Sequence, residues 1–331
     1  MKNVVIVGAG PAGLSVAAEC SYDEVPEILV LEKGPTHNQT VYQYYPDDKR
    51  VDAAYKGQEA ICAGVLCFRD TTKPNFLAIV DHMLERYGFP VEYGATVDSI
   101  KKVDDTFQIS ATDGRTFDSK FVVIAIGRMG KPNRPDYFND IPPKTRMQLQ
   151  FDIRNLDATG KQILVVGGGN SAVEFALSLA KKGEVTLSYR KTEFSRLNPM
   201  NLKLLEEDKR AGRIRILRGS DIAIIEDKDG KPFVKFRDGK SESFDRVVYG
   251  IGGSSPAAFL EGAGIRLDAK GNPILSSELE TSVPGLFVAG ELAVPPGKGS
   301  IIASFNSGKR VVEAITDRLG LPRKPDLVHL T

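Results

Sequence analysis

Residues 2–19 read KNVVIVGAGPAGLSVAAE, an apolar run of strand length followed by a glycine cluster and by apolar residues at helical spacing. The pattern predicts a buried strand, a tight turn and a helix. Its glycines, Gly8, Gly10 and Gly13, fit G-x-G-x-x-G. Because glycine has no Cβ, such a turn can approach a pyrophosphate closely, and the N-terminus of the helix offers it free N–H groups.

The same pattern returns at residues 161–178, KQILVVGGGNSAVEFALS, with Gly167, Gly169 and Ala172 in the three positions. A second repeat closes each copy: TFDSKFVVIAIG and SFDRVVYGIG each follow alternating apolar residues with a D-G turn, which is typical of a hairpin. One glycine motif is weak evidence, but two in matched contexts are strong. We predict an α/β protein with two Rossmann-like, doubly wound, three-layer dinucleotide-binding domains.

The C-terminal part of the chain, residues 253–331, has no glycine fingerprint of its own. It contains PGLFVAGE at residues 284–291, which predicts a strand, and a helix expected to begin near Gly299–Ser300. The simplest partner for this strand is the sheet of the N-terminal domain. We therefore predict a first domain made of residues 1–127 and 253–331 and an inserted domain of residues 128–252, joined by Gly- and Pro-rich linkers that form a hinge.

The end of the second strand of each repeat indicates the nucleotide. EILVLE ends in Glu32, whose carboxylate suits ribose hydroxyls and repels a 2′-phosphate, as in FAD or NAD sites. VTLSYRK is interpreted as placing Arg190 where the acid would be, followed by Lys191 and Arg196. Three cations suit the 2′-phosphate of NADPH. The alternative is a solvated strand end.

Composition excludes several other classes of protein. The 331 residues carry a formal net charge of +1, so no basic field indicates nucleic acid or an anionic membrane. Three cysteines and three scattered histidines predict neither a disulfide framework nor a metal site. No apolar stretch is long enough to span a bilayer and the N-terminus does not resemble a signal peptide, so we expect a cytoplasmic protein.

Two local patterns have competing interpretations. The run VYQYYP at residues 41–46 offers Tyr42, Tyr44 and Tyr45 as a cover for a flavin ring, if the first site holds FAD, or as ordinary packing in an irregular loop. Cys62 and Cys67 lie in AICAGVLCF, where apolar neighbours favour buried core thiols over a redox pair.

The whole chain resembles two-domain flavoprotein reductases of the thioredoxin-reductase type, through GAGPAG, GGGNSAVE, YRK and PGLFVAGE in that order. It lacks the C-x-x-C of thioredoxin reductases. YPDDKRVDAAYKG looks similar to a run in thioredoxin-reductase-like ferredoxin–NADP reductases, and FVVIAIGRMGKPNRPDY and ESFDRVVYGIGGSSP look similar to bacterial flavodoxin:quinone reductases. Two departures are Glu291 in place of the more usual Asp and a tail with His329, which either covers the flavin or, as we favour, is a frayed end.

The resemblance implies electron transfer from NADPH through FAD to flavodoxin or ferredoxin, with quinones as further acceptors, in a homodimer. The flavin carries the chemistry, so no catalytic side chain is assigned. The expected FAD contacts are Gly8, Gly10, Pro11, Ala12, Gly13, Glu32, Lys33, Tyr45, Val97, Gly127, Gly290, Glu291, Ser300 and Ile301. The expected NADPH contacts are Gly167, Gly169, Asn170, Ser171, Glu174, Arg190, Lys191, Arg196 and Gly252.

Two other functions remain open at this point. One is a reductase of low-molecular-weight or protein disulfides, although Ala12 stands where a related family has a cysteine in its first glycine motif. The other is a flavin redox sensor that turns over slowly. Arg128, Lys131 and Arg134 near the linkers suit the docking of an acidic flavodoxin, or are solvated loop charges.

Overall fold

The computed structural model describes residues 1–45, 49–53, 61–128, 132–153, 156–253, 256–295 and 299–325. The tail with His329, Lys131 and the side chain of Tyr44 lie outside the described residues. The chain forms two compact units, one of residues 1–42, 50–130 and 255–331 and the other of residues 43–49 and 131–254. The sequence interpretation placed residues 43–49 in the first domain, whereas they group with the second unit.

Among its described residues, the first unit contains eleven strands and helices before the insertion and three after it. In chain order they are β1 (Lys2–Val7), α1 (Pro11–Tyr22), β2 (Ile28–Glu32), α2 (Gln39–Tyr44, whose last two residues fall in the second unit), β3 (Arg50–Val51), β4 (Thr71–Thr72), α3 (Lys73–Tyr87), β5 (Val91–Tyr93), β6 (Val97–Val103), β7 (Thr106–Ala111) and β8 (Thr116–Ile124). The second unit has the elements α4 (Pro143–Arg146), β9 (Leu149–Gln150), β10 (Gln162–Val166), α5 (Asn170–Leu179), β11 (Glu184–Tyr189), α6 (Pro199–Arg210), β12 (Ile214–Arg218), β13 (Ile222–Lys228), β14 (Lys231–Phe236), β15 (Ser241–Ser243) and β16 (Arg246–Tyr249). The chain returns to the first unit with α7 (Ala257–Gly262), β17 (Leu286–Val288) and α8 (Ile301–Leu319).

The main sheet of the first unit runs β5-β2-β1-β8-β7-β6, and β17 pairs with β8. Parallel pairing joins β1 to β2 and β8, while β6, β7 and β8 form the predicted antiparallel excursion. The strand of PGLFVAGE therefore joins the N-terminal sheet, as the sequence predicts, because β17 lies parallel to the last residues of β8. The central strand β1 is buried along Val4–Val7, as expected for a parallel strand covered on both faces.

Helices α1 and α8 pack against each other on one side of this sheet. Residues 12–20 of α1 are all buried, and the helix has small side chains at most of these positions. Ser15 Oγ donates a 2.7 Å hydrogen bond to the carbonyl of Phe305, and a Cβ on Gly308 would lie 2.5 Å from that same Oγ. The N-terminal turns of both helices thus belong to the same unit as the first glycine motif.

The sheet of the second unit runs β12-β11-β10-β16-β9 and is parallel throughout. Strands β13, β14 and β15 form a separate antiparallel sheet. The two repeats found in the sequence thus fold alike, each with a central strand that leads into a glycine turn and a helix. The α/β class predicted from the sequence is confirmed.

Candidate dinucleotide-binding sites

The first glycine motif forms a tight turn between β1 and α1. Gly8 has φ +108°, a conformation that side chains disfavour, and a Cβ on Gly13 would lie 1.8 Å from the carbonyl oxygen of Gly8. Gly10 is the N-cap of α1 and Pro11 is its first residue, and no described side chain caps this end. A Cβ on Gly10 would meet no described atom within 4 Å, so the space beside this turn is open at the free N–H groups of the helix.

Glu32 reaches across from the end of β2 to this turn. Its Oε2 accepts a 2.7 Å hydrogen bond from the amide of Ala9, and its Oε1 accepts one of 2.7 Å from the amide of Gly34. The carboxylate is buried, with the residue 6% exposed, whereas the next residue, Lys33, is exposed. The two backbone amides fix the orientation of the carboxylate beside the glycine turn, where the sequence placed a ribose-binding acid.

The segment after β17 meets the same motif. Gly290 has φ +82°, and a Cβ there would lie 2.7 Å from the Cβ of Ala12, so the chain passes close to the first turn of α1. The amide of Gly290 donates to Ser307 Oγ on α8 at 2.7 Å. Glu291 is exposed and lies in a 3-10 turn, Gly290–Ala293, rather than extending the strand.

Helix α8 begins where the sequence predicts. Ser300 is its N-cap, with Oγ accepting a 2.9 Å hydrogen bond from the amide of Ala303, and Ile301 is its first residue. Both residues are half-buried. The capped end leaves the amides of the first turn as a partial positive charge, of the kind that stabilises a nearby anion.

Asn38 is a residue of this region that the sequence analysis missed. It is 1% exposed, has φ +48°, and donates its amide to the carbonyl of Ala9 at 2.8 Å. Its Oδ1 is buried and has no hydrogen-bond partner among the described residues. A buried acceptor without a donor is costly, and a nucleotide hydroxyl or amine would satisfy it. The open turn, the oriented carboxylate of Glu32 and this orphan oxygen fit a dinucleotide.

The second glycine motif repeats this geometry with one exchange. Gly167 has φ +144°, and Gly169 is the N-cap of α5, again without a side-chain cap and with open space at its Cβ position. Ala172 fits in the third position because Gly250 lies opposite, where a Cβ would come within 2.7 Å of the Ala172 Cα and Cβ. The close packing at this turn is therefore preserved. In the second motif the methyl group is on the helix, at Ala172, and the glycine is opposite, at Gly250, whereas the first motif has its glycine on the helix, at Gly13.

The strand register corrects the expected equivalence of Arg190 and Glu32. Val7, just before the first glycine, pairs with Leu31, and Val166, just before the second motif, pairs with Ser188. Tyr189 therefore stands where Glu32 stands, and Arg190 is one residue further along. The sequence interpretation was wrong by one position. From the sequence, the ends of the two strands could be matched only by their last apolar residues, which does not fix the register to a single residue.

Tyr189 packs against the second glycine motif. A Cβ on Gly168 would lie 2.3 Å from its ring atoms, and the ring stacks on Phe194 with 5.1 Å between centroids and 12° between planes. This second unit thus has an aromatic ring where the first has a carboxylate.

Arg190, Lys191 and Arg196 are all exposed. Within the part of the chain that the structure describes, none of their side chains has a hydrogen bond, an ion pair or a ring contact. Their charges are accordingly not neutralised by any described carboxylate. Three uncommitted cations after β11 are consistent with binding an anionic group.

Two other expected NADPH contacts are engaged inside the second unit. Asn170 Oδ1 accepts from the amide of Asn198 at 2.9 Å and from Asn201 Nδ2 at 3.2 Å. Glu174 accepts from Asn201 Nδ2 at 3.0 Å and forms a 2.5 Å ion pair with Lys49. These bonds hold the first turns of α5 and α6 together. Lys49, the partner of Glu174, belongs to residues 43–49, which are part of the same unit.

Lys49 also contacts Tyr45, one of the residues of the tyrosine run. Its Nζ lies 3.8 Å from the ring centroid of Tyr45, a cation–π contact within the second unit. Residues 39–44 form a helix, so the irregular loop, one of the two alternatives for this run, is not what the chain forms there. Tyr42 is 38% exposed on that helix. The assignment of Tyr45 to the flavin stays a prediction.

The remaining expected contacts occupy strand ends and turns. Val97 begins β6 and is half-buried, and Ser171 is exposed in the first turn of α5. Gly127 and Gly252 follow the closing strands of their units and have φ of +68° and +82°. The two closing turns are thus conformationally equivalent.

Cys62 and Cys67 form a disulfide, so the expectation of buried core thiols was wrong. Their neighbours Val65, Leu66 and Phe68 are buried, but both cysteines are half-buried at the surface. The apolar run misled because the chain turns between the two cysteines. Within the described residues, Cys20 is the only free cysteine, and it is buried.

Arg128 is bonded to other parts of the first unit. Its guanidinium donates to Asn272 Oδ1 at 2.5 Å and to the carbonyls of Glu291 and Val294 at 3.0 and 2.9 Å. The side chain therefore holds two returning segments of the first unit. Of the proposed docking residues, Arg134 is exposed and lies over the ring of Phe138.

Two uncapped glycine turns, each at the end of a parallel strand, define a protein with two dinucleotide-binding units. The chain belongs to the pyridine nucleotide-disulphide oxidoreductase family, which matches residues 5–290. The protein is an oxidoreductase, and membership implies a flavin and a pyridine nucleotide. Among the described helices, none is long and apolar enough to cross a membrane, and the described residues contain no cluster of ligands for a metal ion.

Full-length relatives have two kinds of name. The chain is 28% identical to a ferredoxin–NADP reductase of Gluconacetobacter diazotrophicus over 329 residues, 95% of this chain and 90% of that protein. It is also 28% identical to the bacilliredoxin reductase Bdr of Bacillus subtilis over 300 residues, 88% of this chain and 90% of that protein. The chain therefore has the same sequence identity to a ferredoxin–NADP reductase and to a bacilliredoxin reductase.

Solved structures share the fold over nearly the whole chain. The bacillithiol disulfide reductase Bdr (YpdA) of Bacillus cereus superposes with a TM-score of 0.78 at 24% identity, covering 96% of this chain and 99% of that one. The thioredoxin reductase of Lactococcus lactis gives a TM-score of 0.76 at 23% identity, covering 96% and 98%. At these identities the likeness establishes the fold.

Proposed function

We propose that this protein is an NADPH-dependent flavoprotein reductase that holds FAD in the first unit and NADPH in the second. Electrons would leave for flavodoxin or ferredoxin, with quinones as further acceptors. Bound FAD would supply the chemistry, as an acceptor of hydride and a donor of single electrons. The chain's own task is to bind and orient the two nucleotides.

The difference between Glu32 and Tyr189 carries the proposal. They stand at equivalent positions beside two glycine turns of the same geometry. The carboxylate of Glu32 favours ribose hydroxyls and disfavours a 2′-phosphate, whereas Tyr189 places no negative charge there. The exposed cations that follow Tyr189 supply the opposite preference. The two units are therefore suited to different nucleotides.

The size of the preference follows from the cations. One charge-assisted hydrogen bond contributes roughly 1.5–3 kcal/mol. Since about 1.4 kcal/mol corresponds to a factor of ten in affinity, one bond each from Arg190 and Lys191 would favour NADPH over NADH by at least about a hundredfold. Both side chains are exposed, so added salt should reduce this preference.

Within the first unit, Glu32 and Asn38 would orient the adenosine half of FAD. The N-terminus of α1 would face its pyrophosphate, and Gly290 would let the chain pass close to that turn. The N-terminus of α8 at Ser300 would stabilise negative charge on the reduced flavin ring. We place the protein in the cytoplasm and expect a homodimer on the resemblance to its relatives.

A disulfide reductase is the second candidate, since the Bdr relative is as similar as the ferredoxin–NADP reductase. Ala12 argues against a thiol in the first glycine motif as the reactive group. It is buried against Gly290, where a Cβ would already come within 2.7 Å of the Ala12 methyl group.

The acceptor is tested anaerobically with catalytic amounts of FAD-loaded protein, excess nucleotide and purified flavodoxin or ferredoxin. The proposal expects rapid reduction of the carrier's visible spectrum with NADPH and slow reduction with NADH. If small disulfides are reduced and neither carrier is, the disulfide reductase is correct. If no acceptor is reduced although NADPH bleaches the bound flavin, the carrier assignment fails and a redox sensor is favoured.

A further inference from the structure

The disulfide between Cys62 and Cys67 lies in the first unit, on a short loop before β4. The two cysteines are five positions apart, with Cα atoms 5.6 Å from each other, and the chain turns between them. Gly64 sits at the closest approach of this turn, because a Cβ there would lie 1.9 Å from Glu19 Oε1 on α1. The loop is therefore seated directly on α1.

Three hydrogen bonds hold this loop in place. Ala63 donates its amide to Asn306 Oδ1 at 2.9 Å, and Asn306 Nδ2 donates to the carbonyl of Ile61 at 2.7 Å. Val65 donates its amide to Glu19 Oε1 at 2.6 Å. None of these hydrogen bonds involves a sulfur atom.

A purely structural role does not account for the disulfide well. Closing a loop of only a few residues removes less entropy from the unfolded chain than closing a long loop does. The loop is also already fixed by the bonds to Glu19 and Asn306. A short-range cross-link that is half-exposed to solvent, in a loop anchored by other bonds, has the features of a reactive disulfide.

The surroundings define what can reach the sulfur atoms. Ala63, Gly64 and Val65 line a cavity of about 30 Å³ together with Glu19 and other residues of α1 and α8. Neither Cys62 nor Cys67 lines this cavity, and both cysteines are half-buried at the surface. A thiolate would therefore reach the sulfur atoms from the solvent side.

We propose that Cys62 and Cys67 are a redox-active pair that exchanges with thiolates from solution, from a small thiol or from a dithiol protein. A thiolate attacks one Sγ, forming a mixed disulfide and releasing the other cysteine as a thiolate. A second external thiolate then attacks the external sulfur of the mixed disulfide. This step forms a disulfide between the two external thiols and releases the remaining cysteine as a thiolate. The two cysteine thiolates take up two protons, so two electrons pass from the external thiols to the pair.

Cys20 does not participate in this exchange. It is fully buried in α1, and burial raises the pKa of its thiol far above the ordinary value, so it remains a neutral thiol. The pair therefore has no internal competitor, and reduction yields two reactive thiols per chain and no more.

The test is a count of reactive thiols in the folded, FAD-loaded protein with the Cys20→Ala substitution. The protein is equilibrated anaerobically near neutral pH in glutathione buffers of increasing reducing strength, then quenched with acid, alkylated and weighed intact. Peptide mapping assigns the labels, and the flavin absorbance verifies that the fold is kept. Repeating the series with dithiothreitol, and with a reduced dithiol protein such as thioredoxin, distinguishes the two sources of thiolate.

The proposal predicts a rise from zero to two labels, on Cys62 and Cys67, in millimolar glutathione or with the dithiol protein, while the flavin stays bound. It is overturned if both cysteines stay unlabelled under all three reductants until denaturant is added, because the disulfide is then structural. It is also overturned if labels appear only as the flavin is lost. None of these outcomes depends on which nucleotide the second unit binds or which carrier is reduced.

Discussion

Glu19 Oε1 accepts a 2.6 Å hydrogen bond from the amide of Val65, which joins α1 to the loop that the Cys62–Cys67 disulfide closes. The glutamate is 5% exposed, and burial raises the pKa of its carboxyl from 4.5 to about 7. The Val65 amide and Lys309 oppose this rise, whereas Asp23 adds to it. A carboxyl in the core of the first unit therefore titrates near neutral pH.

The titration of Glu19 predicts a pH-dependent stability. Between pH 4.5 and about 7 the unfolded chain has released the proton that the folded protein keeps, so the free energy of unfolding falls as the pH rises. The loss is about 3 kcal/mol, from about 1.4 kcal/mol per unit of pKa shift. Glu19→Gln keeps the acceptor for Val65 and removes the charge.

Urea unfolding of the wild type and Glu19→Gln across this pH range measures the effect. The wild type should lose about 3 kcal/mol relative to the variant as the pH rises through the window, with the difference constant above it. Parallel curves for the two proteins would show that Glu19 titrates at the same pH in the folded and unfolded chains.

Gly13→Ala should impair FAD binding. The added Cβ would lie 1.8 Å from the carbonyl oxygen of Gly8, so the glycine turn has to shift, at a cost of about 1–3 kcal/mol for overpacking. The ratio of flavin to protein after purification measures binding, and thermal unfolding measures stability. Gly262→Ala in α7 is the matched control, since its Cβ would meet no described atom within 4 Å. Equal flavin content in both variants would contradict the role of the turn.

Arg190→Ala and Lys191→Ala should each raise the KM for NADPH about tenfold or more and leave the KM for NADH unchanged. The physical reason is the loss of one charge-assisted hydrogen bond to the 2′-phosphate. Steady-state kinetics with both nucleotides gives the values, and Arg210→Ala, an exposed cation at the end of α6, is the control. An equal effect on NADH and NADPH would place the two residues elsewhere than at the 2′-phosphate.

Asn306→Ala should make the Cys62–Cys67 disulfide easier to reduce. The substitution removes two of the three anchors of the loop. Two hydrogen bonds of about 1 kcal/mol each correspond to an acceleration of about tenfold or more. The rate of alkylation in glutathione is the measurement, and Arg310→Ala, exposed further along α8, is the control. An unchanged rate would show that loop opening does not precede the attack.

Much of the fold is predictable from the sequence because its decisive features are local. The apolar run before Gly8, the glycine spacing and the helix after it specify a strand, a turn and a helix without any long-range information. That β17 joins the sheet of the first unit was also predictable, since a lone buried strand needs a sheet and the first unit offers one.

The details that escaped prediction depend on contacts between distant residues. Tyr189, and not Arg190, occupies the position equivalent to that of Glu32. This equivalence is evident only from the pairing of Val166 with Ser188. Likewise, the partner of Glu174 is Lys49, 125 residues away, and nothing in the local sequence of either indicates the other.

The cysteine pair shows a different limit. The apolar neighbours of Cys62 and Cys67 are indeed buried, so the periodicity was read correctly, but the turn at Gly64 directs the two cysteines outward. The C-x4-C spacing with a glycine between was the available signal. Hydropathy alone does not distinguish a buried run from one that turns back on itself.

The central claim, one unit for FAD and one for NADPH, is tested most directly by the bound flavin itself. The purified protein is mixed with NADPH or NADH in an anaerobic stopped-flow instrument, and the visible absorbance of the flavin is followed through a single turnover. At a low, equal nucleotide concentration, bleaching by NADPH should be at least about a hundredfold faster than bleaching by NADH, as the two cations require. Equal rates with the two nucleotides, or a protein that retains no flavin, would contradict the account.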